Sequence, residues 1–157
     1  MKKTNAMRLL DAAGVCYAAL EYDPSDGEIS GAAVAAKIGR APERVFKTLV
    51  AQGKSSGLNV FIIPSDAELD LKKAALAAGD KNIEMIKARD LEPKTGYVHG
   101  GCSPIGMKKP LPTFLDESAA RHERIVVSGG RIGLQVELSP TDLMRMTNAA
   151  VSGLVKK

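Results

Sequence analysis

The sequence is poor in aromatic residues and in cysteine, and each shortage excludes a class of protein. It has no tryptophan, and aromatic residues make up 4% of its 157 residues, so we expect a core built from alanine, leucine, valine and isoleucine. The two cysteines, Cys16 and Cys102, form no C-x-x-C pair and lack metal-type spacing to the two histidines. We therefore expect no metal, no cofactor and a reducing, cytoplasmic setting.

Long apolar runs and the common hydrolase motifs are missing as well. No apolar run reaches the roughly 18 residues that a membrane span needs, so no membrane association is expected. The N-terminal stretch MKKTNAMRLLDAAG has the spacing of a helix, and we do not expect it to be a signal peptide. Walker-type, HExxH and GxSxG motifs do not occur, which excludes the hydrolases built on them.

The composition that remains is that of an ordinary globular protein. Apolar residues make up 45% of the chain and charged residues 25%, and we expect residues 1–157 to form a single domain. Lysine and arginine number 22 against 18 aspartate and glutamate, a net charge of +4. This mild excess permits a polyanionic partner without demanding one.

Cap and turn signals divide the chain into short elements. Helices are predicted in NAMRLLDAAG, SGAAVAAKIG, ELDLKKAALAAG and SPTDLMRMTNAAV, with serine caps on the second and the last. Strands are predicted in VCYAALEY, in the hairpin TLVAQ–LNVFIIP, on both sides of a turn at Pro93, and in RIVVS and GLQVEL. Because helices and strands do not alternate regularly, the pattern favours an α+β fold or a curled mixed sheet with helices outside.

Lys47 lies in a stretch, VFKTLVA, that is apolar on both faces. If the stretch is extended, Lys47 shares a face with Val45 and Leu49 and has no evident solvent side, so its ammonium group needs an anion. Alternatively, the helical turn predicted at Pro42 continues through Lys47, and the side chain snorkels to water. The residues alone leave both interpretations open.

Residues 99–118, HGGCSPIGMKKPLPTFLDES, have the composition of neither a helix nor a strand. The Gly100-Gly101 pair exposes bare backbone, and its amide N–H groups can face a carbonyl or phosphate oxygen, with Pro104 stiffening the loop. The run Ser128-Gly129-Gly130 admits the same interpretation as a second pocket wall. Tight turns are the structural alternative at both places.

Two further features of this loop also admit a structural and a functional interpretation. Cys102 with His99 suggests a nucleophile and a base, but no third residue in sequence would orient them, so we do not expect Cys102 to be a nucleophile. The Lys108-Lys109 pair is either a solvated loop tip or a phosphate contact.

Five stretches, in this order and spacing, resemble the YbaK/EbsC family: EYDP, VFKTLV, LDLKK, GYVHGGCSPIGMKKPLP and VSGGRIGLQVEL. The resemblance runs from about Leu20 to the last helix, most of the chain. Members are free-standing relatives of the editing domain of bacterial prolyl-tRNA synthetase. The resemblance implies the α+β fold of that editing domain, a curled, barrel-like mixed sheet surrounded by helices.

The same resemblance implies an aminoacyl-tRNA deacylase that hydrolyses mischarged Cys-tRNA(Pro) in trans. In the family the substrate's own thiol attacks its ester carbonyl, so the protein only binds, orients and stabilises the developing oxyanion. The implied catalytic residues are Lys47, Gly100 and Gly101. The implied substrate-binding residues are Cys102, Ser103, Pro104, Ser128, Gly129 and Gly130.

The implied partners are tRNA-Pro in its aminoacylated form and prolyl-tRNA synthetase. Two alternatives stay open: a deacylase that uses water on tRNA mischarged with alanine or serine, and a non-catalytic module that binds tRNA or the synthetase. The chain departs from the family pattern at Leu20, where an aromatic residue is expected, and at Gln135, where an acidic one is expected. Both positions therefore bear on amino-acid preference.

Overall fold

The computed structural model describes residues 2–157, and they form five α-helices and eight β-strands. The helices are α1 (Asn5–Ala12), α2 (Gly31–Ile38), α3 (Leu71–Ala78), α4 (Ala88–Thr95) and α5 (Pro140–Thr147). The strands are β1 (Ala18–Glu21), β2 (Phe46–Gly53), β3 (Gly57–Pro64), β4 (Ile83–Met85), β5 (Thr113–Asp116), β6 (Ile125–Arg131), β7 (Leu134–Leu138) and β8 (Ala150–Ser152). Short 3-10 helices cover Pro42–Arg44 and Glu117–Arg121.

The serine caps predicted for α2 and α5 are confirmed, and Thr4 caps α1. The side chains of Thr4, Ser30 and Ser139 each accept a hydrogen bond from the backbone N–H three residues later. Gly39 and Gly79 end α2 and α3 in the left-handed conformation, where a glycine carries no Cβ penalty. Local chemistry therefore fixes where these helices begin and end.

The strands form two sheets. The first has the order β1-β7-β6 and is antiparallel throughout. The second has the order β4-β2-β3-β5-β8 and is mixed, since β2 is antiparallel to both its neighbours while β3, β5 and β8 run parallel. A single parallel bridge between Val45 and Val126 joins the edge of one sheet to the other.

Apolar side chains fill both faces of the five-stranded sheet. On β3, Val60 and Ile62 belong to the main core, which also contains side chains of α1, α5, β6 and β7. Phe61 and Ile63, which point to the opposite face, pack into a second cluster beneath α3. Apolar residues thus cover β3 on both sides, and β3 pairs along its whole length with β2, the strand that carries Lys47.

Several predicted elements and boundaries are wrong. Pro93 lies inside α4 rather than in a turn, and the GYVHGG segment is not a strand. Strands β5 and β8 were not predicted, and the last helix stops at Thr147 instead of running to Val151. Within residues 2–157 neither sheet closes on itself, so the barrel-like sheet is not observed. None of the helices described is long and apolar enough to cross a membrane.

Candidate functional site

A cavity of about 200 Å³ lies between the two sheets' neighbouring edges and the 99–102 loop. Its lining comes from the residue that follows β1, the first half of α2, the start of β2, the 99–102 loop, and facing positions on β6 and β7. Apolar side chains, among them Ile29, Val34 and Phe46, form much of its wall. We call it the Lys47 cavity, since Lys47 is the charged side chain that lines it.

Lys47 lies on β2 directly opposite Ile63 of β3. The 3-10 helix ends at Arg44, so the backbone at Lys47 is extended and the helical interpretation of this stretch is wrong. The side chain is half-buried and forms no ion pair with any carboxylate of residues 2–157. An ammonium group held at a cavity without a protein counter-ion is available to an anionic or strongly polar ligand.

The two glycines of the Gly100-Gly101 turn differ in their relation to the cavity. Gly100 lines it with φ at +85°, and no other described residue accepts its N–H. The N–H of Gly101, by contrast, donates to the Val98 carbonyl at 3.0 Å. A Cβ on Gly101 would lie 3.0–3.1 Å from backbone atoms of Arg131 and Ile132, so this glycine allows the loop to pack against the β6–β7 turn.

Of the three residues in the Ser128-Gly129-Gly130 run, Ser128 lines the cavity. Its hydroxyl oxygen accepts the N–H of Gly130 at 3.2 Å, which leaves the hydroxyl proton free to donate to a ligand. The Gly129 carbonyl accepts the Thr4 hydroxyl at 2.6 Å and so fastens α1 to β6. Gly129 and Gly130 therefore shape the strand beside the site without lining it.

Of the three residues that follow the glycine pair, Cys102 lines the cavity, and Ser103 and Pro104 do not. Cys102 lines the cavity, but it is buried, and burial raises the pKa of its thiol to about 12. Ser103 is fully buried and its hydroxyl oxygen accepts the N–H of Ile105. Pro104 lines a separate surface depression together with Lys109. Lys47, Gly100, Cys102 and Ser128 are thus the predicted site residues that the structure brings together.

Tyr22, Thr48 and Gln135 line the cavity although they were not among the predicted site residues. The hydroxyl groups of Tyr22 and Thr48 are buried and have no hydrogen-bond partner among the described residues, and both residues line the cavity. Gln135 also lines it and is 6% exposed. Tyr22 lies in the EYDP stretch and Thr48 in the VFKTLV stretch. Their place in these two family-like stretches was the one signal in the sequence that could have identified them as site residues. A buried hydroxyl without a partner costs free energy, which a ligand's polar atoms would recover.

Glu137, two residues beyond Gln135 on the same strand face, fixes the position of these walls. Its carboxylate accepts from Arg40 at 2.6 and 3.1 Å and from Arg44 at 3.1 Å. The Arg40 guanidinium holds the pKa of Glu137 below its usual range. These bonds tie the segment between α2 and β2 to β7 on the far side of the cavity.

The cavity can therefore hold a small polar group in a mostly apolar enclosure. Its lining includes Lys47, the Gly100 backbone and hydroxyl-bearing side chains such as Tyr22, Thr48 and Ser128, groups that can stabilise negative charge on an oxygen. His99 and Cys102 both line the cavity but do not form a base and nucleophile pair: burial keeps the Cys102 thiol protonated at neutral pH, and within residues 2–157 no hydrogen bond joins it to His99. The site is suited to binding and polarising a reactant that carries its own nucleophile.

Residues 29–146 match the model of a protein family described as the aminoacyl-tRNA editing domain. The chain is 45% identical over 156 residues to EbsC of Enterococcus faecalis, named as a candidate Cys-tRNA(Pro)/Cys-tRNA(Cys) deacylase. That alignment covers 99% of this chain and 95% of EbsC.

Two solved structures have the same fold. One, described as a candidate trans-editing enzyme for prolyl-tRNA synthetase, superposes with a TM-score of 0.85 at 24% identity and covers 99% of this chain and 100% of its own. The other, of a hypothetical protein, has a TM-score of 0.88 at 23% identity and covers 98% and 100%. At these identities the likeness shows the fold alone, and it confirms the mixed α+β class.

Proposed function

Because the chain belongs to the aminoacyl-tRNA editing domain family, we propose that it is a trans-acting deacylase that removes cysteine from mischarged Cys-tRNA(Pro). The family and the EbsC relative support ester cleavage on an aminoacyl-tRNA. The volume of about 200 Å³ supports a small aminoacyl group as the part that enters the cavity, since whole-ligand pockets usually measure about 300–1,000 Å³.

The reaction that fits this site uses the sulfur of the substrate. The cysteine thiol attacks its own ester carbonyl, a carbon–sulfur bond forms, and the bond between that carbon and the ribose oxygen breaks. The thiol proton passes to the ribose oxygen, so the products are tRNA with a free hydroxyl and a small cyclic thioester. In the transition state the former carbonyl oxygen is negative, and the Gly100 N–H and the Lys47 ammonium stabilise it.

The observation that carries the proposal is the half-buried Lys47 ammonium, without an ion-pair partner in residues 2–157, beside the free Gly100 amide and the hydroxyls of Tyr22 and Thr48. A protein-derived nucleophile would need an activated thiol or hydroxyl, and Cys102 is held protonated by burial. The other predicted residues keep supporting roles: Gly101, Ser103 and Pro104 maintain the shape of the loop, and Gly129 and Gly130 shape β6 beside the cavity.

The finer parts of the assignment rest on the same family membership. We propose that residues 1–157 act as one editing domain in the cytoplasm and that prolyl-tRNA synthetase delivers the mischarged tRNA. We also propose that the two sheets act as one curled, barrel-like wall around the cavity, with the Val45–Val126 bridge as the point where they join.

A deacylation assay on Cys-tRNA(Pro) with wild type and Lys47→Ala tests the proposal. We expect the substitution to lower kcat/KM by about 10²-fold or more, the effect of removing one preorganised charge-stabilising group. Lys54→Ala is the matched control. Lys54 is exposed and directly follows the last residue of β2, about 23 Å from Lys47 if measured along an extended strand. It should retain wild-type activity.

Ala-tRNA(Pro) and Cys-tRNA(Cys) complete the substrate panel. The alanyl ester has no thiol and should be cleaved poorly, whereas equal cleavage of both esters would point to water as the nucleophile and overturn the mechanism. Cys-tRNA(Cys) is included because the name of EbsC covers it. Binding of tRNA without cleavage of any ester would show a non-catalytic module instead.

A further inference from the structure

A shallow groove of about 770 Å³ adjoins the Lys47 cavity, and the two share Lys47 and Leu49 of β2 as lining residues. The start of α3, Met85 of β4 and the C-terminal residues Lys156 and Lys157 form its other sides. We call it the lysine groove. The LDLKK stretch, which the editing reaction leaves without a role, supplies Leu71 and Lys72 to it.

The groove carries a surplus of positive charge. Four lysine side chains line it against two acidic side chains, those of Glu68 and Asp70. Glu68 pairs with Lys156 at 3.3 Å, while one oxygen of Asp70 accepts the backbone N–H groups of Lys72 and Lys73 as the cap of α3. Lys47 and Lys72 have no carboxylate partner among residues 2–157 and are available to an anion.

The position of Lys72 is unfavourable for helix stability. It lies in the first turn of α3, which holds no acidic residue, although the helix dipole favours acidic side chains at that end. The neighbouring Lys73 has a structural role, since its ammonium group donates to the Val155 carbonyl at 2.8 Å. Lys72 is exposed and has no such hydrogen bond, so its ammonium group is available to a ligand.

Apolar side chains lie between these charges. Leu71 and Met85 are 41% and 44% exposed, large values for apolar residues of this size, and both line the groove. Single-stranded RNA presents a matching surface, because its phosphates are negatively charged and the faces of its bases are apolar enough to pack on such side chains. The groove thus combines positively charged side chains that can contact phosphates with apolar side chains that can contact bases.

We propose that the lysine groove binds the unpaired 3′-terminal nucleotides of the aminoacyl-tRNA, with a phosphate against Lys72 and bases against Leu71 and Met85. The inference rests on the proposed function. With the aminoacyl ester in the Lys47 cavity, the terminal ribose lies at its mouth, and the strand that precedes it has to leave across an adjoining surface. The lysine groove is adjoining and positively charged.

The experiment compares two substrates that share the ester and differ in the strand: Cys-tRNA(Pro) and the 3′-cysteinyl ester of adenosine, which has no phosphate. Lys72→Glu should raise KM for the tRNA about tenfold and flatten its salt dependence by about 0.7 in log–log slope for each phosphate that the variant no longer neutralises. Its kcat/KM for the adenosine ester should match wild type. Lys72→Gln should give a smaller increase in KM.

Lys54→Glu is the control, with the same charge change on an exposed lysine outside both the cavity and the groove. If wild type cleaves neither substrate, the proposed function fails. If wild type cleaves both and Lys72→Glu behaves like Lys54→Glu, the groove proposal is overturned and the function stands. Equal slowing of both substrates, or a defect seen only when prolyl-tRNA synthetase is present, also overturns it.

Discussion

Leu20 and Gln135 lie directly opposite each other on the antiparallel strands β1 and β7. These are the two positions at which the family resemblance implies a different residue, an aromatic one at 20 and an acidic one at 135. Ser128 of β6 lies opposite Gln135 on its other side, so the three side chains form a row across the sheet. Ser128 and Gln135 reach the Lys47 cavity, whereas Leu20 packs against Ala35, Val45 and Val126.

We expect substitutions at positions 20 and 135 to be coupled. Gln135→Asp alone places a carboxylate at a site that is 6% exposed, opposite an apolar leucine, and should lower the free energy of unfolding by about 1–3 kcal/mol. Adding Leu20→Tyr should restore part of that loss, because a phenol hydroxyl opposite the carboxylate donates a hydrogen bond to it. Urea unfolding of the two single variants and the double variant measures the coupling.

Leu20→Phe distinguishes the effect of the tyrosine hydroxyl from the effect of the aromatic ring. Paired with Gln135→Asp, it supplies the same aromatic bulk without a donor and should leave the variant as unstable as Gln135→Asp alone. An equal rescue by phenylalanine and tyrosine would show that packing, rather than a hydrogen bond, links the two positions.

The unpartnered hydroxyl of Tyr22 should serve the substrate at the expense of stability. Tyr22→Phe removes a buried donor that has no partner within the described chain, so the free energy of unfolding should stay unchanged or rise by up to about 1 kcal/mol. Deacylation should weaken about five- to tenfold in kcat/KM, the loss of about 1 kcal/mol of hydrogen bonding to the bound ester. Thermal unfolding and the Cys-tRNA(Pro) assay measure the two effects.

Tyr17→Phe is the control for this change. The Tyr17 hydroxyl donates to Asp11 at 3.0 Å on the exposed side of α1, and Tyr17 does not line the cavity. Its substitution should leave deacylation unaltered. A Tyr22→Phe variant that keeps full activity would remove the hydroxyl from the substrate-binding set.

Local signals in the sequence predict most of the elements and their ends. Serine and threonine caps, glycine at helix ends and the β2–β3 hairpin act over a few residues, and the chain shows them directly. Strands β5 and β8 escape prediction because they pair in parallel with residues about 50 and 35 positions away, and no short-range pattern records such a partner. The turn predicted at Pro93 is absent because tertiary packing outweighs the cost of a proline inside α4.

The site is only partly predictable for a related reason. Residue type and the family resemblance identify Lys47, Gly100 and Ser128, and the fold brings them together. The use of the Gly101 N–H by the Val98 carbonyl, and the absence of a partner for Tyr22 among residues 2–157, depend on three-dimensional contacts. Sequence patterns identify which groups are available to a site, but not which of them the fold has already used.

The cysteines should differ sharply in reactivity and contribute little to the chemistry. Cys16 is exposed, and Cys102 is buried with its pKa raised to about 12. Alkylation of the native protein with N-ethylmaleimide should modify Cys16 quickly and Cys102 only on unfolding, as peptide mass spectrometry would show.

Cys102→Ala should keep kcat/KM within about threefold of wild type, because the loss of one buried sulfur atom lowers the free energy of unfolding and leaves the reacting groups in place. A folded but inactive Cys102→Ala would make the protein's own sulfur the nucleophile.

Glu137→Gln should destabilise the protein in a pH-dependent way, because its carboxylate accepts three hydrogen bonds from Arg40 and Arg44 while only 7% exposed. Arg40 lowers the pKa of Glu137 in the folded state. The resulting stability is therefore complete above the unfolded pKa of about 4.3 and is lost as the pH falls towards the lower folded value. We expect a difference of about 1–3 kcal/mol between wild type and variant in urea unfolding at pH 7. That difference should shrink below about pH 4.

Glu68→Gln is the control, because it makes the same change at an exposed ion pair with Lys156, and it should have little effect on stability. A Glu137→Gln deficit that stays constant down to pH 3 would show that the amide fails through its shape, and not through the missing charge.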